Sequence, residues 1–416
     1  MVFSSILLYI SLFVALFFEV FLLITYFEIR ENIELESKNS GQNIKNFPSV
    51  SIIVPCYNEE KSVVATVKSL LGLEYPKDKL KILIIDDGST DKTREIVEKS
   101  FSQNKQIKIF EKENGGKHTA LNFALEKIDT ELVGSLDADS FVDKEALRKI
   151  IPYFEKEDVM AVTASIKIHK PESIIQRIQW TEYNWSILLR KLLSSMNALY
   201  VTPGPFSIFR AKVFKEIGEY KKAHYTEDME MALRMHKNGY KITNAHSAYV
   251  YTIGPEKVRG LYKQRVRWVY GFLNNVIDYK EMFFSRKHGH IGMFILPIAT
   301  FSIFSTIYAA GNLLWSITNK TLEQLIKHEA IGWNFGMPNF SNVNWFAINL
   351  STTFWLTLII FFLTLFILFI SLRMANGKFK FSRNIIFYLT IYIFIVPLWL
   401  TKAAYSTIVR KNISWR

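Results

Sequence analysis

The run Ile82-Leu83-Ile84-Ile85 stops at two adjacent carboxylates, Asp86 and Asp87. A short apolar run with that stop reads as a strand buried on both faces, the pattern of a parallel sheet. Asp86-Asp87-Gly88 then falls just past the strand's carboxyl end, where open α/β sheets place their ligand crevice. Ser89 or Thr90 can cap the helix expected over Asp91–Ser100. The same grammar occurs twice more. Ser51–Val54 runs into Pro55-Cys56-Tyr57-Asn58-Glu59, and Leu132–Leu136 runs into Asp137-Ala138-Asp139. Three strand ends thus deliver acidic and polar groups to one crevice, and strands alternate with helical stretches from 47 to 254. The fold class is α/β.

Long apolar runs flank this block. Phe3–Phe27 exceeds the ~20 residues that cross a bilayer, with Glu19 its sole charge. No basic stretch precedes the run and no small-residue cleavage site follows, so it is expected to be an anchor. Glu19 in mid-span needs either a partner within the membrane bundle or a wet region. Residues 28–46 are charged and read as a linker or short helix. Beyond the block, Ile291–Ile317, Phe354–Leu372 and Ile385–Leu400 are three further spans, the last interrupted by Pro397.

Arg286, Lys287, Arg373, Lys378, Lys380 and Arg383 share a side with the central block, which places that block in the cytoplasm and the Thr318–Asn344 loop outside. Four spans leave the C-terminus outside, in conflict with Arg410, Lys411 and Arg416 there. Asn339-Phe340-Ser341 fits a glycosylation acceptor in the outside loop. The net charge of +13 accompanies no basic cluster in a nucleic-acid fold, so nucleic acid is not expected as a partner. An anionic membrane face and an anionic donor account for it better. The single cysteine, Cys56, excludes an internal disulfide and a cysteine-based metal cluster.

Further helices are expected over Lys61–Leu71, Leu121–Ile128 and Lys144–Phe154, and a strand over Val159–Ile168. Ser173–Met196 has apolar residues near helical spacing, with Trp180, Tyr183 and Trp185 suited to a membrane surface; a core helix fits equally. Tyr262–Phe284 mixes Lys263, Arg265, Arg267 and Lys280 with aromatic residues, as an interfacial helix would.

Several constellations carry chemistry. Asp137-Ala138-Asp139 can hold one Mg²⁺ or Mn²⁺ while leaving positions for phosphate oxygens. Thr226-Glu227-Asp228 opens a helix closed by Gly239. Its acids suit the helix dipole, and equally suit a base that takes a proton from a hydroxyl. Gln264-Arg265-Val266-Arg267-Trp268 joins guanidinium donors to an indole suited to a sugar face; snorkelling arginines are the plainer reading. Asn114-Gly115-Gly116-Lys117 is a glycine-rich turn ending in a cation.

The ordered set Pro55-x-Tyr57-Asn58-Glu59, Asp86-Asp87-Gly88-Ser89, Gly116-Lys117 with Ala120-Leu121-Asn122, Asp137-x-Asp139, Thr226-Glu227-Asp228 and Gln264-x-x-Arg267-Trp268 resembles family 2 glycosyltransferases. It looks most like their membrane-embedded processive branch, the poly-N-acetylglucosamine, hyaluronan, chitin and cellulose synthases. The resemblance runs from about Val50 to Trp268. It implies a GT-A-like (Rossmann-like) cytosolic domain over 47–254, flanked by a transmembrane helix over 1–27, interfacial helices over 255–290 and a membrane region of about three spans over 291–416. Tyr57, Glu59, Asp87, Lys117 and Asp137 would hold the nucleotide. Asp139, with Asp137, would hold Mg²⁺ or Mn²⁺. Asp228, beside Glu227, would be the base. Gln264, Arg267, Trp268 and Gly204 would serve the diphosphate and the acceptor, although Pro203 stands where the family often has Ser or Thr.

The implied reaction is inverting transfer from a UDP-sugar, best UDP-N-acetylglucosamine, to a growing β-linked polysaccharide that is extruded across the bilayer. The rival is transfer of one sugar to a polyprenyl-phosphate or other lipid acceptor; such enzymes usually lack Q-x-x-R-W. Both readings leave room for an accessory membrane subunit.

Overall fold

The computed structural model describes residues 2–39, 41, 44, 46–331, 351–377 and 382–410. The Asn339-Phe340-Ser341 acceptor and the basic residues Lys378, Lys380, Lys411 and Arg416 lie outside them. The chain divides into two compact units, Met1–Ile24 with Ile298–Leu368, and Thr25–Pro297 with Phe369–Arg416.

The second unit is built on an eight-stranded sheet. Its strands are β1 (Val50–Cys56), β2 (Leu80–Asp86), β3 (Ile107–Glu111), β4 (Leu132–Ser135), β5 (Ser140–Val142), β6 (Val159–Ile168), β7 (Ser207–Arg210) and β8 (Lys241–Thr252). They lie in the order β3-β2-β1-β4-β7-β6-β8-β5. The first four are parallel, as the apolar runs require, and β1 and β2 are buried along nearly their whole length. β7 is antiparallel to β4 and to β6, and β5 to β8, so the sheet is mixed.

The register brings Cys56 beside Asp86 and Asp86 beside Glu111. Strand order reverses at β1, with β2 and β3 on one side and β4 on the other, which opens a crevice at the carboxyl ends of these strands. Helices α2 (Val63–Leu71), α3 (Thr93–Phe101) and α4 (Lys117–Leu125) follow β1, β2 and β3. The first is amphipathic and buries Val63, Val67 and Leu70 in the main core with Ile52, Val54 and Ile82. The expected 121–128 helix thus starts at Lys117. The expected 144–154 helix is a short α5 (Ala146–Ile150) running into a 3₁₀ turn, Ile151–Glu155, that carries Pro152 in its first turn.

Helix α6 (Ile174–Ser195) opens with a capping box between Ser173 and Gln176 and packs against β6 and β8, as a core helix does, and also against residues 383–392 at the start of the fourth membrane-length helix. A short α7 (Lys212–Ile217) precedes α8 (Glu227–Lys237), which ends before Gly239. Helix α9 (Val258–Asp278) carries the Gln264–Trp268 motif and packs against α8, not along a bilayer surface alone.

The 28–46 stretch is not a linker up to Asn39, because α1 runs unbroken over Val2–Asn39. Its charged end is tied down within the second unit. Glu36 ion-pairs with Lys191 of α6, and Tyr153 Oη donates to Glu36 at 2.8 Å.

Among the described residues four helices are long and apolar enough to cross a membrane, Ile6–Lys38, Ile291–Glu329, Thr352–Asn376 and Arg383–Ile408. The second begins with a π turn, Ile291–Ile295, and continues as α10 (Leu296–Ile331), and the third is α11 (Thr352–Asn376). In the first unit Thr364 Oγ1 of α11 donates to Glu19 Oε1 at 2.5 Å. Glu19 therefore has a partner inside the bundle. The fourth is α12 (Arg383–Phe387), a π turn Tyr388–Tyr392 and α13 (Ile393–Ile408). Pro397 sits inside α13, and the irregularity falls before it, in the π turn.

Candidate active site

The three strand ends meet as expected, and each carboxylate there has a distinct task. Asp86 Oδ1 accepts from the Ser89 backbone N–H at 3.1 Å and shapes the turn after β2. Asp87 is buried and fully engaged. Its Oδ1 accepts from Lys112 Nζ at 2.7 Å and Gly115 N at 3.1 Å, and its Oδ2 from Gly116 N at 2.8 Å. Asn114 Nδ2 donates to its carbonyl at 2.9 Å. Asp87 thus clamps the glycine-rich turn, and that turn delivers Lys117 at the N-terminus of α4. Asn58, in the left-handed region at φ 57°, accepts from Thr90 N at 2.8 Å and locks the β1 and β2 loops together.

Lys117 is the electrostatic centre. Its ammonium is 2.6 Å from Asp137 Oδ1 and 3.6 Å from Glu227 Oε1. Burial alone would lower its pKa, but Asp137, Glu227 and Asp228 together hold it above the usual lysine range. Gly204 belongs to the same assembly. A Cβ at Gly204 would strike Lys117 Nζ and lie 3.1 Å from Asp137 Oδ1, so a side chain here would displace the Lys117 ammonium. Gly204, which the resemblance groups with the diphosphate and acceptor residues, packs against the Lys117–Asp137 pair.

The acids around this centre are destabilised in their charged forms. Burial, then Asp137 and Glu59, push the Asp139 carboxyl up to about 6. Burial, then the Glu227 charge, push Asp228 up to about 6 against the pull of Lys117 and Arg267. Glu59 is also raised, chiefly by burial, while Ser62 Oγ donates to it at 2.5 Å. Arg267 is drawn down by burial and held by Glu227, Asp228 and Asp137.

These groups line a cleft of about 690 Å³. Tyr57, Glu59, Asp87, Lys117, Asp137, Asp139, Glu227 and Arg267 all face it. Asp228, Gln264, Trp268 and Gly204 are not among its lining residues. Trp268 carries the Arg265 guanidinium 4.2 Å from its ring centroid, and Arg265 Nη2 bonds Glu182 at 2.7 Å. Arg265 is buried, so neither arginine of the motif snorkels: one is a core ion pair and the other faces the cleft.

His118, Lys222 and Tyr225 also line the cleft, and Lys112 sits behind it. Sequence reasoning passed over all four. Tyr225 and Lys222 lie close before Glu227-Asp228, and Lys112 follows the unrecognised strand β3, so their neighbours were the available signal.

Asp137 and Asp139 fit a hard divalent cation. They are oxygen donors, and Asp139 carries charge that its surroundings leave under-compensated. Among the described residues no group of three or more His, Cys, Asp or Glu side chains could hold a metal.

Residues 51–218 match glycosyl transferase family 2. The chain is 32% identical over 291 residues to a poly-beta-1,6-N-acetyl-D-glucosamine synthase of Staphylococcus epidermidis, covering 68% of this chain and 69% of that protein. It is 30% identical over 300 residues to the synthase of that name from Staphylococcus aureus, covering 71% of each.

The chain belongs to glycosyl transferase family 2.

It is accordingly a glycosyltransferase. Its fold is that of the mannosyltransferase PcManGT from Pyrobaculum calidifontis, solved in complex with GDP-Man and Mn²⁺, with a TM-score of 0.58 and 17% identity over 96% of this chain and 99% of that one. The GT-A-like expectation holds, with the membrane-length helices on either side of the domain in sequence.

Proposed function

We propose that this glycosyltransferase moves N-acetylglucosamine from UDP-N-acetylglucosamine to the end of a growing β-linked polysaccharide, with inversion, and hands the product into the membrane. The observation that carries the reading is the convergence of Lys117, Asp137, Asp139, Glu227 and Arg267 on one cleft at the sheet's carboxyl edge. The synthases it resembles supply the sugar.

The cleft offers a division of labour. Tyr57, Glu59 and the Asp87-clamped turn form the nucleotide end. Lys117 and Arg267 are the cations that face a diphosphate. Asp137 and Asp139 would hold Mg²⁺ or Mn²⁺, which supplies charge neutralisation to the leaving diphosphate.

Asp228 acts as base. It takes the proton of the acceptor hydroxyl as that oxygen bonds to the anomeric carbon and the bond to UDP breaks on the opposite face. Its position behind Glu227 suits an acceptor that arrives from outside the nucleotide cleft, past Trp268 and Gln264. The basic residues bordering the spans support a cytoplasmic catalytic unit, and an accessory membrane subunit is compatible with the apolar helix faces left exposed.

The test is a product assay on membranes or detergent-purified protein with Mn²⁺ and a panel of labelled UDP-sugars. Polymer from UDP-N-acetylglucosamine alone, with matching UDP release, is the expected result. A single-sugar product that extracts into organic solvent would overturn it in favour of a lipid acceptor.

A further inference from the structure

One face of α9 meets the turn that leads into α8 at three points, and a fourth residue of that face, Arg267, lines the cleft with Glu227. Arg267, Gly271, Asn275 and Asp278 recur at spacings of four, four and three, so they stand above one another on a helix. Arg267 faces the cleft. At Gly271 an added Cβ would strike the Thr226 side chain, with even Thr226 Cβ only 2.9 Å away. Asn275 Nδ2 donates to Thr226 Oγ1 at 2.8 Å, both residues being buried. Asp278 Oδ2 lies 2.9 Å from His224 Nε2. Just beyond this face, Tyr279 Oη donates to Glu230 Oε1 of α8 at 2.6 Å.

Thr226 is the N-cap of α8, whose first two residues are Glu227 and Asp228. The two residues before it, His224 and Tyr225, are both left-handed, at φ 49° and 68°. Such backbone is costly for non-glycine residues and persists only where surrounding contacts over-determine it. From the other side, Thr202 Oγ1 donates to the Asp228 carbonyl at 2.7 Å.

We infer that this face of α9 is a ruler: Gly271 and Asn275 are positioning residues that set the distance between the base-bearing turn of α8 and Arg267. Gly271 does so by being absent as a side chain, and Asn275 by holding Thr226 against the gap. The inference rests on the proposed roles of Asp228 and Arg267 in sugar transfer.

The full chain, purified in detergent or nanodiscs, tests it through turnover of UDP-N-acetylglucosamine. Gly271→Ala should lower kcat about a hundredfold, the cost of misplacing a reacting group by about 1 Å, with donor KM within about threefold of the parent. Thr226→Ala in the Gly271→Ala background removes the two nearest atoms, Oγ1 and Cγ2, leaving only the Cβ at 2.9 Å, and should recover at least about tenfold of that loss. Asn275→Ala adds no bulk and covers the case in which Gly271→Ala does not fold; it should lower kcat about tenfold at unchanged donor KM. Near-parental kcat in Gly271→Ala, a double variant no better than the single one, or an Asn275→Ala defect confined to KM would each overturn the ruler. A parent that turns over no UDP-N-acetylglucosamine would defeat the functional reading instead. The contact is then still read by thermal unfolding of the four-variant cycle at 226 and 271, where additive Tm shifts would overturn it.

Discussion

The two rims of the cleft treat their carboxylates in opposite ways. On the rim proposed for the nucleotide, Asp87 accepts from two backbone N–H groups and a lysine, and its charge holds a turn. On the rim where we propose the reaction, Asp139, with Asp228 just outside the lining, sits among other acids, and burial pushes each up to about 6. The first rim is complete without a ligand; the second is an arrangement of charge that a cation, a diphosphate or an acceptor proton would relieve. One rim is built for shape and the other for reaction.

Substitutions on the two rims should therefore separate binding from turnover. Asp228→Asn should cost the most, about 10²–10⁴-fold in transfer, while UDP binding measured by calorimetry stays near parental. Normal turnover would remove Asp228 as the base. Asp139→Ala should follow, with transfer down about a hundredfold or more and no remaining response to Mn²⁺ or Mg²⁺; an unchanged metal titration would contradict the ligand role.

The pH profile sharpens the contrast. A protonated Asp228 cannot accept the acceptor proton, so its raised pKa predicts a rate that falls about tenfold per pH unit below about 6 and levels off above. Glu227 raises that threshold, and Lys117 and Arg267 lower it. Asp87→Asn belongs to the other rim and should raise donor KM about tenfold with kcat little changed, since it weakens charge-assisted bonds to a loop. A kcat loss without a KM change would erase the distinction between the rims. The smallest effect is expected from Trp268→Ala, which should slow elongation more than donor hydrolysis; equal losses would make Trp268 a structural platform for Arg265.

Much of this was legible in the chain. Strands β1, β2, β4 and β6 announce themselves because a strand buried on both faces must be apolar throughout. The short antiparallel strands β5 and β7 carry no such signature, since three or four residues are too few to show a period. Helix α6 was ambiguous because core and membrane-surface helices share one apolar stripe. For Gln264–Trp268 the residue types were plain but their directions were not: neighbouring arginines on a helix point to different faces, and only α6 with Glu182 decides that Arg265 is buried while Arg267 reaches the cleft.

By itself the sequence determined the α/β class, the membrane-length helices and the set of acids and cations at the strand ends, because burial and charge are local properties of composition and spacing. Tertiary structure alone decided which acids are clamped and which are left without compensating partners, why residue 271 is glycine, and what Glu19 bonds to. Each of those depends on atoms brought together from distant parts of the chain, and no local pattern encodes such a meeting.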